Sequence, residues 1–299
     1  MTWAVKALLM IRPACFAFNA QTAITNSFQF PQEGEIHSRA LAEFVSAVDA
    51  FRNAGFTIEL FEDDATQPLP DSIFPNNWFS THNNGALILY PMLTPNRRAE
   101  RKASIVDTLK HKYNYSIVHD FSLREKQGKF LEGTGSIVFD HDQKVALACL
   151  SPRTNAGVLQ EVCDKLNYIP ILFEAMDRNN SPVYHTNVMM AVSPSLAVCC
   201  FESIPHPSDR NDVLRFFMGT GKELVEITLA QMESFAGNML FITRSDGVQH
   251  VAVSSTAWNS LEEMQKNAIS AHAKPIIVDI PTIERHGGGG IRCMLAELF

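Results

Sequence analysis

The chain has 299 residues, 46% of them hydrophobic and 19% charged, with a formal net charge of −7, which fits a globular protein with a sizeable core and argues against a nucleic-acid surface. No apolar run approaches the roughly 20 residues that span a bilayer, and residues 7–11 are too short for a secretory segment. Six scattered cysteines with no CxxC pair suggest reduced thiols rather than a disulfide framework or a zinc site, so a soluble, cytoplasmic protein is expected.

In chain order, residues 4–11 read as a strand that stops at Arg12-Pro13. A polar loop over residues 19–35 shows no clear period, and loops of that length often carry function as lids. Ile36, Ala40, Leu41, Phe44, Val45, Val48 and Phe51 recur at helical spacing, which predicts a helix over 36–54 with Gly55 as its stop. A strand over 56–61 follows, then an acidic loop leading to Asp71-Ser72-Ile73-Phe74-Pro75-Asn76-Asn77-Trp78-Phe79. A hairpin then turns at Asn83-Asn84-Gly85 into a strand over 86–90.

The same order of helix, strand, loop and hairpin returns four times. A helix capped near Asn96 carries Ile105, Val106, Leu109 and Tyr113, followed by a strand over 115–119 and a loop to Leu131-Glu132-Gly133-Thr134-Gly135. The next unit has a helix over 158–166, a strand over 169–173 and a loop to Tyr184-His185-Thr186-Asn187. Then come a helix over 209–218, a strand over 224–227 and a loop through Phe235-Ala236-Gly237-Asn238. The last unit has a helix over 258–271, a strand over 275–280 and a loop into His286-Gly287-Gly288-Gly289-Gly290-Ile291-Arg292-Cys293.

Equivalent loop positions are evenly spaced. Asn77 to Glu132 is 55 positions, Glu132 to His185 and His185 to Asn238 are 53 each, and Asn238 to Cys293 is 55. A fixed period means a repeat architecture, here an α/β chain of five units. The fifth unit lacks its second hairpin strand, which the N-terminal strand can supply. Such pairing would close a ring over one domain, residues 1–299, and remove exposed sheet edges. In a ring, Asn77, Glu132, His185, Asn238 and Cys293 converge on the axis, so that a thiol, an imidazole and a carboxylate face one cavity. The glycine run before Cys293 lets backbone pass close to a ligand, and a thiol placed there can act as a nucleophile once ionised. Trp78 and Phe79 are expected to pack core. His286 is out of phase and is not expected to be a base, and Arg292, next to Cys293 on an expected strand, points away.

The glycine run with Cys293, the His185-Thr186-Asn187 segment and Leu131-Glu132-Gly133-Thr134-Gly135-Ser136 together resemble the guanidine-modifying superfamily. That superfamily includes arginine deiminases, dimethylarginine hydrolases, succinylarginine dihydrolase and amidinotransferases. Met10-Ile11-Arg12-Pro13, residues 71–77 and Ser151-Pro152-Arg153-Thr154 resemble its branch of citrulline utilisation hydrolases. The resemblance implies a five-bladed α/β propeller, the pentein fold, built of pseudo-fivefold ββαβ modules. It implies Cys293 as nucleophile on the planar carbon and His185 as the partner of its thiolate, proton donor to departing ammonia and activator of water. Glu132 would bind substrate nitrogens and support His185.

The resemblance also implies aspartates at positions 77 and 187 in deiminases, where this chain has Asn77 and Asn187. A guanidinium stays charged and calls for carboxylates when buried. An amide suits a neutral ureido group and can donate to the oxyanion formed on it. A citrulline-like substrate is therefore expected, giving an ornithine-like amine, ammonia and carbon dioxide. Asp71 would take the substrate ammonium and Arg153 its carboxylate, with Arg97 or Arg98 assisting; Cys15 lies in the loop after the N-terminal strand and is not expected to serve the site. Two alternatives stay open: a guanidine hydrolase or amidinotransferase of the same fold, and a non-catalytic propeller that only binds. No metal, cofactor or nucleotide is implied. The expected partner is a small amino-acid substrate, and the oligomeric state is left open, a homodimer included.

Overall fold

Short runs of apolar and β-branched residues between turn signals become strands when each run can be buried on both faces. The runs Ala7–Arg12, Ala86–Leu89, Val145–Leu150, Leu196–Cys199 and Gln249–Ser254 do this, and each is the middle strand of a three-stranded sheet. The structure is a computed structural model that describes residues 3–31, 35–67 and 69–299. It is an α/β fold with five such sheets among the described residues.

Every sheet is built the same way. The first and middle strands pair antiparallel, as a hairpin in four of the sheets, and the third returns parallel to the middle strand after a helical crossover. The fifth sheet joins the two ends of the chain. Ala296–Leu298 pairs antiparallel with Ala7–Arg12 (Ala7 opposite Leu298), which in turn pairs parallel with Ile58–Glu62 (Leu8 opposite Ile58). The third strands, such as Ile117–Asp120, are the exposed ones, and their charged residues blunt the outer edge against pairing with another chain.

The crossover helices follow their sequence signals. In Ala156–Leu166 the Asn155 side chain accepts from the Val158 N–H, Asn167 closes the helix in the left-handed region, and Val158, Leu159, Val162, Cys163 and Leu166 form the buried stripe. Each of those large side chains contributes about 1.5–3 kcal/mol by leaving water. Two expected helices are broken. Residues 96–113 form Pro95–Arg98 and Ala103–Lys112, because Arg97 and Glu100 turn inward as a buried pair while Ile105 and Leu109 pack on the sheet. The 258–271 helix forms Ser255–Ser260 and Glu263–His272, since Leu261 is extended and Glu262 starts a new helix by a capping box with Gln265. Among the described residues no helix is long and apolar enough to cross a membrane.

The segment between the third strand of one sheet and the first strand of the next is a tight turn each time. Pro75–Asn77 precedes Phe79–Thr81, Gly133–Ser136 precedes Val138–Asp140, and Thr186–Val188 precedes Met190–Val192. Asn238 precedes Leu240–Thr243, and Ile291–Met294 precedes Ala296–Leu298. Cys293 therefore lies in a 3-10 turn and not on the strand expected from sequence, and Arg292 folds back to donate to the Leu295 carbonyl at 3.1 Å. The turns pack on one another. Pro75–Asn77 touches Gly133–Ser136, which touches Thr186–Val188; Asn238 bonds to Asn187 and reaches Cys293; and Ile291–Met294 touches Pro75–Asn77 again.

Gly133 shows how close these turns come. Its φ is +48°, and a Cβ there would lie 2.3 Å from the Asn76 carbonyl oxygen. Gly128 has φ of +66° but open space around it. Gly133→Ala should lose more than about 2 kcal/mol of stability, and Gly128→Ala about 1 kcal/mol, the backbone term alone. Urea unfolding of both variants checks this, and equal losses would contradict the tight packing of the turns.

Candidate active site

The turns bring Asn77, His185 and Cys293 to one cavity. Thr22, Asn26, Asp71, Phe74, Arg97, Arg153, Tyr184 and Gly287 to Gly289 complete its wall, leaving about 10 Å3 of free space. A larger cavity of about 320 Å3 lies elsewhere, between Trp3, Phe139, His141, Phe241 and Phe299. It holds none of the expected site residues, so the chemistry is sought at the smaller one. Among the described residues no group of three or more His, Cys, Asp or Glu side chains is placed to hold a metal ion.

Glu132 is fully buried and does not line the cavity. Its Oε1 accepts from the Leu93 N–H at 3.0 Å, and its Oε2 accepts from His185 Nε2 at 2.9 Å and Arg153 at 3.3 Å. Burial works to raise its pKa, but Arg153 and His185 outweigh burial and hold the carboxyl ionised, below its usual range. Glu132 thus holds His185, and the expected contact with substrate nitrogens has no geometry to support it. An ionised carboxylate only accepts, so His185 Nε2 carries the hydrogen and Nδ1 is the bare, basic nitrogen. The ring sits tightly: a Cβ at Gly135 would lie 2.7 Å from His185 Nδ1 and 2.4 Å from Asn77 Nδ2.

Burial pushes the His185 pKa down to about 4, against the pull of Glu132. Burial likewise pushes the Cys293 thiol up, only partly offset by Asn238, Arg292 and Asn187. Burial thus works against the thiolate–imidazolium pair that the resemblance implies, because water that would solvate the two charges is excluded.

Arg97 is buried and lines the cavity. It donates to both oxygens of Glu100 at 2.9 Å, to the Phe74 carbonyl at 3.1 Å and to Asn77 Oδ1 at 2.7 Å. Burial raises Glu100 to about 7 even beside Arg97. What remains of Arg97 faces the cavity, but its main work is to orient Asn77. Arg98 donates to the Met92 and Leu93 carbonyls and stays outside the site. Arg153 lies over the Tyr184 ring and reaches Glu132, the Thr22 carbonyl at 2.8 Å and the Thr25 hydroxyl. It therefore ties the 19–35 segment to the site.

From that segment, Thr22 and Asn26 line the cavity. The segment starts with a short helix, Ala20–Ala23. Asn19 donates to Asp71 Oδ2 at 2.8 Å, Asn26 to the Gly288 carbonyl at 3.1 Å and Gln29 to the His286 carbonyl at 2.9 Å. Residues 32–34 of the expected lid lie outside the described residues. Asp71 lines the cavity, its pKa is raised by burial, and its Oδ1 has no partner among the described residues.

Asn187 Nδ2 lies 3.6 Å from Cys293 Sγ, and Asn238 Nδ2 lies 3.5 Å from the same sulfur. Sequence reasoning placed Asn238 in phase but gave it no contact with the thiol. Tyr184 and Asn26 were also missed, since neither sits at a repeat position. Trp78 and Phe79 are buried in the core, His286 bonds the Phe30 carbonyl at 2.8 Å away from the cavity, and Cys15 does not line it.

Comparison with known proteins follows from this geometry. No curated protein sequence matches the chain. Among solved structures it is similar to ArgZ, an arginine dihydrolase from the ornithine-ammonia cycle in cyanobacteria, with a TM-score of 0.77 and 13% identity over 98% of this chain. The chain spans only 40% of full-length ArgZ. It is similar to the N-terminal domain of ArgZ, a mutant covalently bound to a reaction intermediate, with a TM-score of 0.75 and 14% identity over 98% of this chain and 97% of that one. It is also similar to a mutant of DDAH from Pseudomonas aeruginosa complexed with citrulline, with a TM-score of 0.70 and 14% identity over 99% and 100% of the two chains. At such identities these likenesses show a shared fold. The model of the family described as N,N dimethylarginine dimethylhydrolase, eukaryotic, matches residues 12–299. With nearly its whole length matched, the chain belongs to that family of hydrolases, within the guanidine-modifying superfamily.

Proposed function

We propose that the chain is a cysteine-dependent hydrolase of the ureido group of citrulline or a citrulline-like amino acid. Its five sheets would stand as blades of an α/β propeller in one catalytic domain, and the repeated sheet topology and the mutual packing of the turns support that reading. The ureido reading is carried by Asn77. Arg97 donates to Asn77 Oδ1 at 2.7 Å, so the amide cannot flip, and Nδ2 is buried with no partner among the described residues. The cavity thus presents an N–H donor where a cationic guanidinium needs an acceptor. A ureido oxygen accepts that hydrogen bond, and the oxyanion formed on attack accepts it better.

The reaction balances as follows. The sulfur of Cys293 bonds to the ureido carbon, and the thiol proton is relayed through the substrate's terminal nitrogen to His185 Nδ1. The C–N bond to the terminal nitrogen breaks, and ammonia leaves with the proton from His185. Water then attacks the thiocarbamate carbon, losing a proton to His185; the C–S bond breaks and the sulfur is reprotonated. The carbamate left on the amine loses carbon dioxide and takes up a proton, giving an ornithine-like amine. Asp71 receives the substrate ammonium with its free Oδ1, and Arg153 faces the carboxylate. The covalent intermediate in the ArgZ mutant supports the two-step route.

A second reading is a two-step arginine dihydrolase, in which the guanidino group is hydrolysed first. The upward push of burial on the Cys293 thiol favours it, since a guanidinium beside Sγ lowers the thiol pKa and a ureido group does not. Purified protein is to be assayed on citrulline and on arginine for ornithine and ammonia. Ornithine from citrulline alone supports the first reading, and ornithine from both supports the second. Arginine stopping at citrulline, or no turnover of either, overturns the ureido chemistry.

Asn77→Asp replaces the free donor by an acceptor and should cut kcat on citrulline about 100-fold; an unchanged rate would remove Asn77 from the chemistry. In the substrate-free protein, alkylation of Cys293 by iodoacetamide should rise with pH, because the thiolate is the deprotonated form. Its midpoint should lie above the free-thiol value of roughly 8.5. A midpoint near 6 would show an imidazolium partner in the resting site.

A further inference from the structure

The amide of Asn238 is fixed more firmly than a cavity-lining role requires. It is buried at 1% exposure. Its Nδ2 donates to the Asn187 backbone carbonyl at 3.0 Å and lies 3.5 Å from Cys293 Sγ. Flipping the amide would set Oδ1 against that carbonyl oxygen, so the donor side must face the sulfur. The approach depends on the last residue of the glycine run. A Cβ at Gly290 would lie 2.7 Å from Asn238 Oδ1, so any side chain there would push the amide away.

A second amide N–H, that of Asn187, reaches the same sulfur at 3.6 Å. Among the described residues, the donors within hydrogen-bond reach of Sγ are these two amides. His185 directs its Nε2 hydrogen to Glu132, and Arg292 spends its donors on the Leu295 carbonyl and a loose pair with Glu297 at 3.5 Å.

We propose that Asn238 is a catalytic residue, whose side-chain N–H, with that of Asn187, stabilises the Cys293 thiolate during attack. This rests on Cys293 being the nucleophile of the function proposed above. Neutral amides suit the task in a dry pocket, because they ease the ionised sulfur without adding a charge that would itself need a partner. Among the described residues the protonated thiol finds only Asn238 Oδ1 at 3.8 Å, a long contact for a weak S–H donor. The amide therefore favours the ionised form over the neutral one. The glycine at 290 is then part of the same device, since it makes room for the donor.

The test measures alkylation of Cys293 against pH without substrate, resolved by peptide mass spectrometry because five other cysteines are present. Asn238→Ala should raise the midpoint by about one pH unit and slow alkylation at pH 8 about tenfold. Asn238→Asp keeps the shape but adds a negative charge, and should raise the midpoint further. Gly290→Ala should shift it in the same direction as Asn238→Ala. If Asn238→Ala does not fold, Asn238→Ser and Asn238→Asp read the same quantity. Midpoints unchanged in folded variants would overturn the proposal. The readout needs no substrate, so it holds or fails independently of the citrulline and arginine assays.

Discussion

Arg97 and Arg153 carry positive charge into a part of the molecule that excludes water, and the site is arranged around keeping those charges paired. An unpaired buried guanidinium is prohibitive, and a paired one is tolerated only if its partners are held in place. Arg97 is held by Glu100 and two backbone carbonyls, and Arg153 by Glu132, Thr22 and Thr25. Each pair then sets one functional group. Arg97 turns the Asn77 amide, and Arg153 keeps Glu132 ionised so that it can fix the tautomer of His185. The ion pairs are best read as positioning devices, because a buried pair adds little net stability by itself.

Around that charged frame Cys293 meets amides, burial works against charge on both Cys293 and His185, and Glu132, the carboxylate bonded to the imidazole, is spent on holding it. Thr22 and Asn26 line the cavity from the other side, with Asn26 bonded to the Gly288 carbonyl.

Much of this was legible in the sequence, for a physical reason. A repeated unit buries its middle strand in the same way each time, so the turn after each third strand arrives at the same place, and the spacing near 54 residues records that return. Asn77, Glu132, His185 and Cys293 were therefore found by position as much as by chemistry. The breaks in the second and last crossover helices were not legible, because Arg97 with Glu100, and Leu261 with the cap at Glu262, depend on what lies opposite them.

What the sequence determined by itself is thus the α/β pattern, the repeat and the residue types that meet at its turns. Only the tertiary structure decided how those side chains are used. Asn238 looked inert because an amide does not titrate, and its closeness to Cys293 needs the missing Cβ of Gly290, a contact between residues 52 positions apart in the chain. The burial of Arg97 is not encoded by its polar neighbours in sequence, since burial depends on what packs over it. Protonation followed the same rule: the pKa values of Cys293 and His185 are set by excluded water and by partners from distant units, and no local pattern encodes either.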